Sequence, residues 1–356
     1  MAAFWPAVLV ATASCLGSAA TASIQSPKSN FNWEETKYLI AFGDSYTYVQ
    51  GSAGLANFSF IGDYLPNHFG FKPEGLLTNK IVQNFTGTAN GGPNWAEYLT
   101  GCGLKEGLTS PLECKIQLWD FAFAGADVAE EFTPLHHNWT VPLVKQTQQY
   151  LTWAEPVIGR SMDKTKALVA VWIGINDIND SAKYNVSFPV FYNSIIEVMF
   201  EKTVQPMYDA GYQNFLFVNL PPLDRTPGNQ VSSRPLPNKT MIAWWDQTLS
   251  SHTKAFTAKN PTAKTMLFDA NTFLNRVLDH PEEYGIKNTT SYCPAYNQLA
   301  VLTDPESYGC QPLEEYFWYN AGHMTSHVHE ILALEVDRYL RQQSTRGRQP
   351  GLCGTR

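Results

Sequence analysis

Three residues of this chain have the types and positions that serine-based ester hydrolysis requires. Ser45 follows the apolar run 38–42, Asn176 follows the apolar run 167–173, and His323 lies near the C-terminus. A serine hydroxyl becomes a good nucleophile when a base removes its proton, and attack on an ester creates an oxyanion that needs fixed hydrogen-bond donors. The chain therefore contains a candidate nucleophile, a candidate oxyanion donor and a candidate base.

A fourth candidate, Gly125, follows the apolar run 118–123. Because the carboxyl ends of parallel strands meet at one edge of a sheet, we expect Ser45, Gly125 and Asn176 to converge there. The backbone N–H groups of Ser45 and Gly125 and the amide of Asn176 would supply three oxyanion donors, and a glycine lets the substrate approach the backbone. Taken alone, a serine in Gly-Asp-Ser is most often a turn or cap residue, and Gly125 and Asn176 are equally well explained as a turn and a cap residue. The prediction therefore depends on their convergence.

The base candidate His323 precedes a helical pattern at 326–342, and His327 and His329 follow it closely. A metal cluster of these histidines is the alternative, but no His-Glu-x-x-His pattern is present. The sequence also lacks the Gly-x-Ser-x-Gly elbow of other hydrolases, a phosphate-binding loop and a dinucleotide fingerprint. We therefore predict a site without metal and without a cofactor.

Strand-like and helix-like patterns alternate along the chain. This alternation predicts a parallel sheet that is covered by helices on both faces. The segment 47–117 shows little periodicity and is predicted to be an extended first crossover with loops over the sheet edge. The predicted strands are 38–42, 118–123, 167–173, 215–220 and 265–268, and the predicted helices are 141–157, 191–209, 241–258 and 326–342.

The N-terminal sequence is typical of a secreted protein. Residues 4–16 are apolar and are followed by small residues up to Ala22, which predicts a signal peptide at 1–22. No later stretch is apolar enough to cross a bilayer, and a net charge of −7 without a basic run argues against nucleic acid and anionic membranes. We expect an extracellular protein with a single catalytic domain at 23–342 and a flexible polar tail at 343–356.

Cysteines and glycosylation motifs agree with secretion. Cys102 and Cys114 are near each other in sequence, as are Cys293 and Cys310, so we predict two local disulfides, although sequence alone leaves the other two connectivities open. Cys353 is left over in the tail. Six Asn-x-Ser/Thr motifs are predicted glycosylation sites, and a seventh, at Asn179, adjoins the proposed site and is expected to be unused. The six are Asn57, Asn84, Asn138, Asn185, Asn238 and Asn288.

Together these residues resemble the four motif blocks of the SGNH/GDSL hydrolases: Gly-Asp-Ser at 43–45, Gly125, Gly-Ile-Asn-Asp at 174–177 and His323. The segments 31–33, 38–51, 91–95 and 118–127 are more narrowly similar to secreted fungal acetyl esterases of carbohydrate esterase family sixteen. The resemblance implies a three-layer α/β/α sandwich with a five-stranded parallel sheet of the flavodoxin-like type. It also implies a metal-independent enzyme that removes acetyl groups from xylo-oligosaccharides and related hemicellulose esters or from small esters. Separately from the resemblance, we expect a monomer.

The chain departs from the family pattern at one position. The family has Asp-x-x-His, whereas this chain has Asn320 three residues before His323. The usual carboxylate holds the histidine in the correct tautomer and stabilises the imidazolium. An amide oxygen can hold the tautomer, but it has no negative charge to stabilise the imidazolium. Three outcomes are open: a Ser–His pair aided by Asn320, a different acid beside His323, or an impaired enzyme. We predict that Asn320 belongs to the catalytic group.

Aromatic side chains near the motifs are candidates to stack on sugar rings. We select Tyr46, Trp95 and Trp318, with Tyr48 and Trp139 as further candidates, although core packing is the simpler explanation for any single ring. Two other functions remain as alternatives. One is a broader carboxylesterase or lipase that acts on longer acyl chains, and the other is an inactive carbohydrate-binding relative.

Overall fold

A computed structural model describes residue 1, residues 31–62 and residues 73–344. Apart from residue 1, the predicted signal peptide lies outside these residues, as do Cys353 and the predicted tail from 345 onward. In the described part of the chain, the strands are β1 (Tyr38–Gly43), β2 (Ile81–Gln83), β3 (Gly107–Thr109), β4 (Gln117–Asp120), β5 (Ala167–Trp172), β6 (Asn214–Val218) and β7 (Lys264–Phe268).

Five of these strands form one parallel sheet in the order β4-β1-β5-β6-β7, which confirms the predicted flavodoxin-like sheet. Leu39 of β1 lies opposite Leu118 on one side and Leu168 on the other. Every residue of β5 and β6 is buried, as expected for strands covered by helices on both faces. The short strands β2 and β3 pair separately in an antiparallel ribbon within the long first crossover.

The helices follow the strands and cover the sheet. Helices α4 and α7 pack on each other, and α1 packs against α9. None of the helices in the described residues is long and apolar enough to span a membrane. They are α1 (Trp95–Thr100), α2 (Leu143–Gln149), α3 (Ile175–Ser181), α4 (Phe188–Met199), α5 (Gln205–Asp209), α6 (Pro227–Gln230), α7 (Lys239–Lys259), α8 (Ala270–Asp279) and α9 (Ser326–Gln343), with π-helical continuations at Tyr150–Gly159 and Phe200–Val204.

Both predicted local disulfides are present. Cys102 pairs with Cys114, which ties the end of α1 to the chain that enters β4. Cys293 pairs with Cys310, and this bridge holds a small separate apolar cluster in the long segment before α9. Of the glycosylation motifs, five asparagines are exposed and Asn288 is half-buried; their modification stays a prediction.

Candidate active site

The predicted site residues lie where the sheet topology places a ligand crevice. From β1 the chain moves to β4 on one side of it, and later returns to β5 on the other side, so the strand order reverses beside β1. In open parallel sheets, ligands bind outside the carboxyl ends of the strands at such a reversal. Ser45 follows β1 by two residues, and Asn176 lies in the first turn of α3 after β5.

The structure brings Ser45, His323 and Asn320 together in one hydrogen-bonded chain. The Ser45 hydroxyl lies 2.8 Å from Nε2 of His323, and Nδ1 of the same ring lies 2.9 Å from Oδ1 of Asn320. Oδ1 of Asn320 also accepts from the backbone N–H groups of Gly322 and His323, at 3.0 and 2.9 Å. Because this oxygen can only accept, it holds the proton of the imidazole on Nδ1, and Nε2 is left to accept from Ser45.

Tyr46, the residue after the candidate nucleophile, contacts the loop that carries His323 and holds it in place. The Tyr46 hydroxyl donates to the carbonyl of Gly322 over 2.5 Å, and the Tyr46 and His323 rings lie 5.3 Å apart between centroids. Tyr46 follows Ser45 in the chain and Gly322 precedes His323. The hydrogen bond between Tyr46 and Gly322 therefore helps to fix the distance between Ser45 and His323.

No carboxylate among the described residues takes the place of the usual acid beside His323. Both ring nitrogens are engaged, one by Ser45 and the other by Asn320. Burial lowers the pKa of His323 to about 4, because the charged form loses hydration without gaining an anionic partner. The imidazole is therefore neutral, and able to accept a proton, over the whole neutral pH range.

The three predicted oxyanion donors each keep an N–H group without an acceptor among the described residues. Within the described residues, the backbone N–H groups of Ser45 and Gly125 make no hydrogen bond. The side-chain amide of Asn176 donates to the carbonyl of Ala126 over 2.8 Å, which orients it and leaves its second N–H. Gly125 has a φ of +80°, a left-handed conformation that favours glycine.

Buried carboxylates accept from backbone N–H groups in the loops of the site. Asp44 accepts from the N–H of Tyr46 at 3.0 Å, and Asp177 accepts from the N–H of Val128 at 3.0 Å. Burial raises the pKa of Asp44 and of Asp177 to about 7 each. The pKa of Asp127 rises to about 9, first through burial and then through the nearby charges of Asp177 and Asp180.

Sequence reasoning missed a histidine–carboxylate pair beside the oxyanion donors. Nε2 of His136 lies 2.6 Å from Oδ2 of Asp180, and a methyl group added to Gly125 would lie 3.1 Å from Nδ1 of that ring. The pKa of His136 is raised, chiefly by its hydrogen bond to Asp180. The one available sequence signal was that Asp180 lies four residues after Asn176, and hence on the same face of α3.

The aromatic residues selected for sugar stacking lie in the core, so that prediction is wrong. Tyr46 and Trp318 are 0% exposed and Trp95 is 1% exposed. Their polar atoms bond within the protein, as the indole of Trp95 does to Thr47 and that of Trp318 to the carbonyl of Thr289. Tyr48 is also buried, whereas Trp139 is partly exposed.

The geometry agrees with the comparisons between this chain and known proteins. The family model described as GDSL-like lipase/acylhydrolase matches residues 39–336. The chain belongs to this family. As a GDSL-like acylhydrolase, it is a carboxylic ester hydrolase with an α/β fold.

Individual relatives of this GDSL-like hydrolase include two fungal proteins named acetylesterase. The one from Thermothelomyces thermophilus is 29% identical over 270 residues, covering 72% of this chain and 78% of the relative. The one from Hypocrea jecorina is 22% identical over 338 residues, which cover 85% of this chain and 88% of that relative. A solved variant of an acetyl-xylooligosaccharide esterase from Geobacillus is 16% identical, covers 88% of this chain and 97% of its own, and superposes with a TM-score of 0.37.

Proposed function

We propose that this protein is a secreted serine acetylesterase that removes acetyl groups from carbohydrate esters, with xylo-oligosaccharides as the substrate class. The observation that carries the proposal is the hydrogen-bonded chain from Ser45 through His323 to Asn320, beside two backbone N–H groups that have no acceptor among the described residues. We infer that one ester carbonyl can meet this nucleophile, this neutral base and the oxyanion donors at the same edge of the sheet.

In the acylation step, Nε2 of His323 takes the proton of the Ser45 hydroxyl while Oγ attacks the acetyl carbonyl carbon. The N–H groups of Ser45 and Gly125 and the amide of Asn176 donate to the resulting oxyanion. When the tetrahedral intermediate collapses, the imidazolium gives its proton to the departing sugar oxygen. Ser45 is left as an acetyl ester, and the alcohol product is released.

In the deacylation step, the same groups act on water. Neutral His323 takes a proton from the water molecule, the hydroxide attacks the acetyl group, and the proton returns to Oγ of Ser45 as acetate leaves. Asn320 keeps the ring in the required tautomer through both steps. Because it adds no negative charge, the imidazolium formed in each transition state is stabilised less than it would be beside a carboxylate.

The acetyl part of the proposal is supported by the motif resemblance and by the names of the two fungal relatives, and the carbohydrate part by the motif resemblance. Secretion is supported by the sequence of residues 1–22 and by the two disulfides, which persist in oxidising compartments. The buried aromatic rings give no support to sugar binding, so the sugar specificity depends on the resemblance alone.

The substrate class is tested by the release of acetate from acetylated xylo-oligosaccharides, measured next to 4-nitrophenyl acetate, butyrate and octanoate. We expect kcat/KM to fall as the acyl chain lengthens, acetate to be released from the oligosaccharide, and a chelator to leave both rates unchanged. Faster cleavage of octanoate than of acetate would favour the lipase alternative. Binding of the oligosaccharide without any turnover would favour the carbohydrate-binding alternative.

A further inference from the structure

The loop after β4 and the second turn of α3 bring three metal-ligand side chains together beside Gly125. One carboxylate oxygen of Asp127, one ring nitrogen of His136 and one oxygen of Asp180 all lie within 4.8 Å of one another. Ligand atoms bound at roughly 2.0–2.2 Å to a common divalent ion lie about 3–4 Å apart, so small side-chain adjustments would suffice to form such a site.

Asp127 supplies an independent indication of a ligand. Its side chain is 0% exposed, and apart from a contact with the Thr133 hydroxyl neither carboxylate oxygen has a hydrogen-bond partner among the described residues. Burial of a carboxylate is costly unless the group is protonated, hydrogen-bonded or coordinated to a cation. One of these unpartnered oxygens belongs to the group that faces His136 and Asp180.

Among the described residues, the acids around the cluster have few basic neighbours. Asp44 and Asp177 are buried nearby, and in the described chain no lysine or arginine forms an ion pair with either of them or with Asp127 and Asp180. In the part of the chain that the structure describes, His136 is the one basic side chain that pairs with these acids, through Asp180. A divalent ion would take the place of the proton on Asp127 and coordinate its unpartnered oxygen.

We propose that Asp127, His136 and Asp180 bind one divalent transition-metal ion, for which Zn²⁺ is the probe. One imidazole and two carboxylates form a mixed nitrogen and oxygen set that suits first-row ions such as Zn²⁺ or Mn²⁺. The bound ion joins the loop that carries Gly125 to the helix that carries Asn176, and thereby adds to the stability of the folded chain. It takes no part in the serine reaction, and the proposal does not depend on the function proposed above.

The test is titration calorimetry of the chelator-treated protein with Zn²⁺, for the wild type, Asp127→Asn and His136→Gln. The control is His327→Gln, because its ring lies 3.8 Å from Glu330 and outside the cluster. We expect one ion per wild-type chain, binding at least tenfold weaker in Asp127→Asn and His136→Gln, and unchanged binding in the control. At 100 times Kd, the ion should raise the wild-type Tm by about 4 °C.

Absence of Zn²⁺ binding to the wild type would overturn the proposal. Equal binding by the wild type and both cluster variants would do the same, as would loss of binding in His327→Gln alone. His136 is about one-third exposed, so His136→Gln is expected to fold even where the buried change Asp127→Asn prevents folding. Hydrolysis of 4-nitrophenyl acetate by the chelator-treated wild type tests the serine reaction separately.

Discussion

Replacement of Asn320 by aspartate is expected to increase the maximal turnover rate. Oδ1 of Asn320 lies 2.9 Å from Nδ1 of His323, and a carboxylate oxygen in the same place retains the bonds to the N–H groups of Gly322 and His323. Hydrogen bonds to charged groups contribute about 1.5–3 kcal/mol, against about 0.5–1.5 kcal/mol for neutral ones. The imidazolium in the transition state therefore gains about 1–2 kcal/mol, which corresponds to about 5- to 30-fold in kcat.

The same substitution moves the pH dependence in a defined direction. His323 must be neutral to act as a base, and its pKa is lowered to about 4, so wild-type turnover falls only as the pH drops through about 4. A carboxylate at 320 favours the charged ring and raises this pKa. The acid limb of Asn320→Asp should therefore lie at higher pH than that of the wild type, and the gain in rate should shrink as the pH falls.

The assay is kcat on 4-nitrophenyl acetate between pH 4 and pH 8, with matching circular dichroism spectra as the check on folding. Asn320→Ala is the control: it removes the orienting oxygen and should lower kcat, because Nδ1 loses the partner that fixes the tautomer. A folded Asn320→Asp with an unchanged or lower plateau of kcat would refute the reasoning. So would a shift of its acid limb to lower pH.

Three further predictions concern the oxyanion donors, a tight backbone contact and a disulfide. Asn176→Ala should lower kcat by about 10²–10³ with little change in KM, measured on 4-nitrophenyl acetate; a loss below tenfold would remove this amide from the oxyanion hole. Gly174→Ala should lower the free energy of unfolding by more than about 2 kcal/mol in urea melts, because φ is +114° and the new methyl would lie 2.1 Å from the Trp245 ring; a stable variant would show that the helix start adapts. Joint replacement of Cys102 and Cys114 by serine should lower that free energy by about 2–3 kcal/mol, since their bridge closes a short loop of 12 residues; equal urea melts would contradict a stabilising role.

The sheet was predictable from the sequence because buried parallel strands are continuous apolar runs. The prediction for β1, at 38–42, ends one residue before the observed strand. Every position of this strand from Leu39 onward is buried, which is why its sequence is an apolar run. Helix α3 was not predicted, because Ile-Asn-Asp-Ile-Asn-Asp-Ser is short and polar, and its start depends on the left-handed conformation of Gly174. Tertiary packing, rather than helix propensity, stabilises such a segment.

The site was only partly predictable from the sequence, because some of its residues follow strands and others lie in loops. Ser45 and Asn176 each follow a recognisable strand, so the topology alone predicts their meeting at one edge of the sheet. His136 lies in a loop without a pattern, and its contact with Asp180, 44 residues away, arises only from the folded geometry. The aromatic selection failed because sequence does not distinguish a core tryptophan from one at a ligand surface.

The central claim is that Ser45 is the nucleophile, and its most direct test is the turnover of Ser45→Ala on 4-nitrophenyl acetate. The matched control is Ser251→Ala, an exposed serine of α7 whose hydroxyl bonds only to its own helix. The account predicts that kcat falls by about 10⁴ or more in Ser45→Ala and is unchanged in the control, with equal melting temperatures. A folded Ser45→Ala that retains a tenth of the wild-type rate would contradict the account.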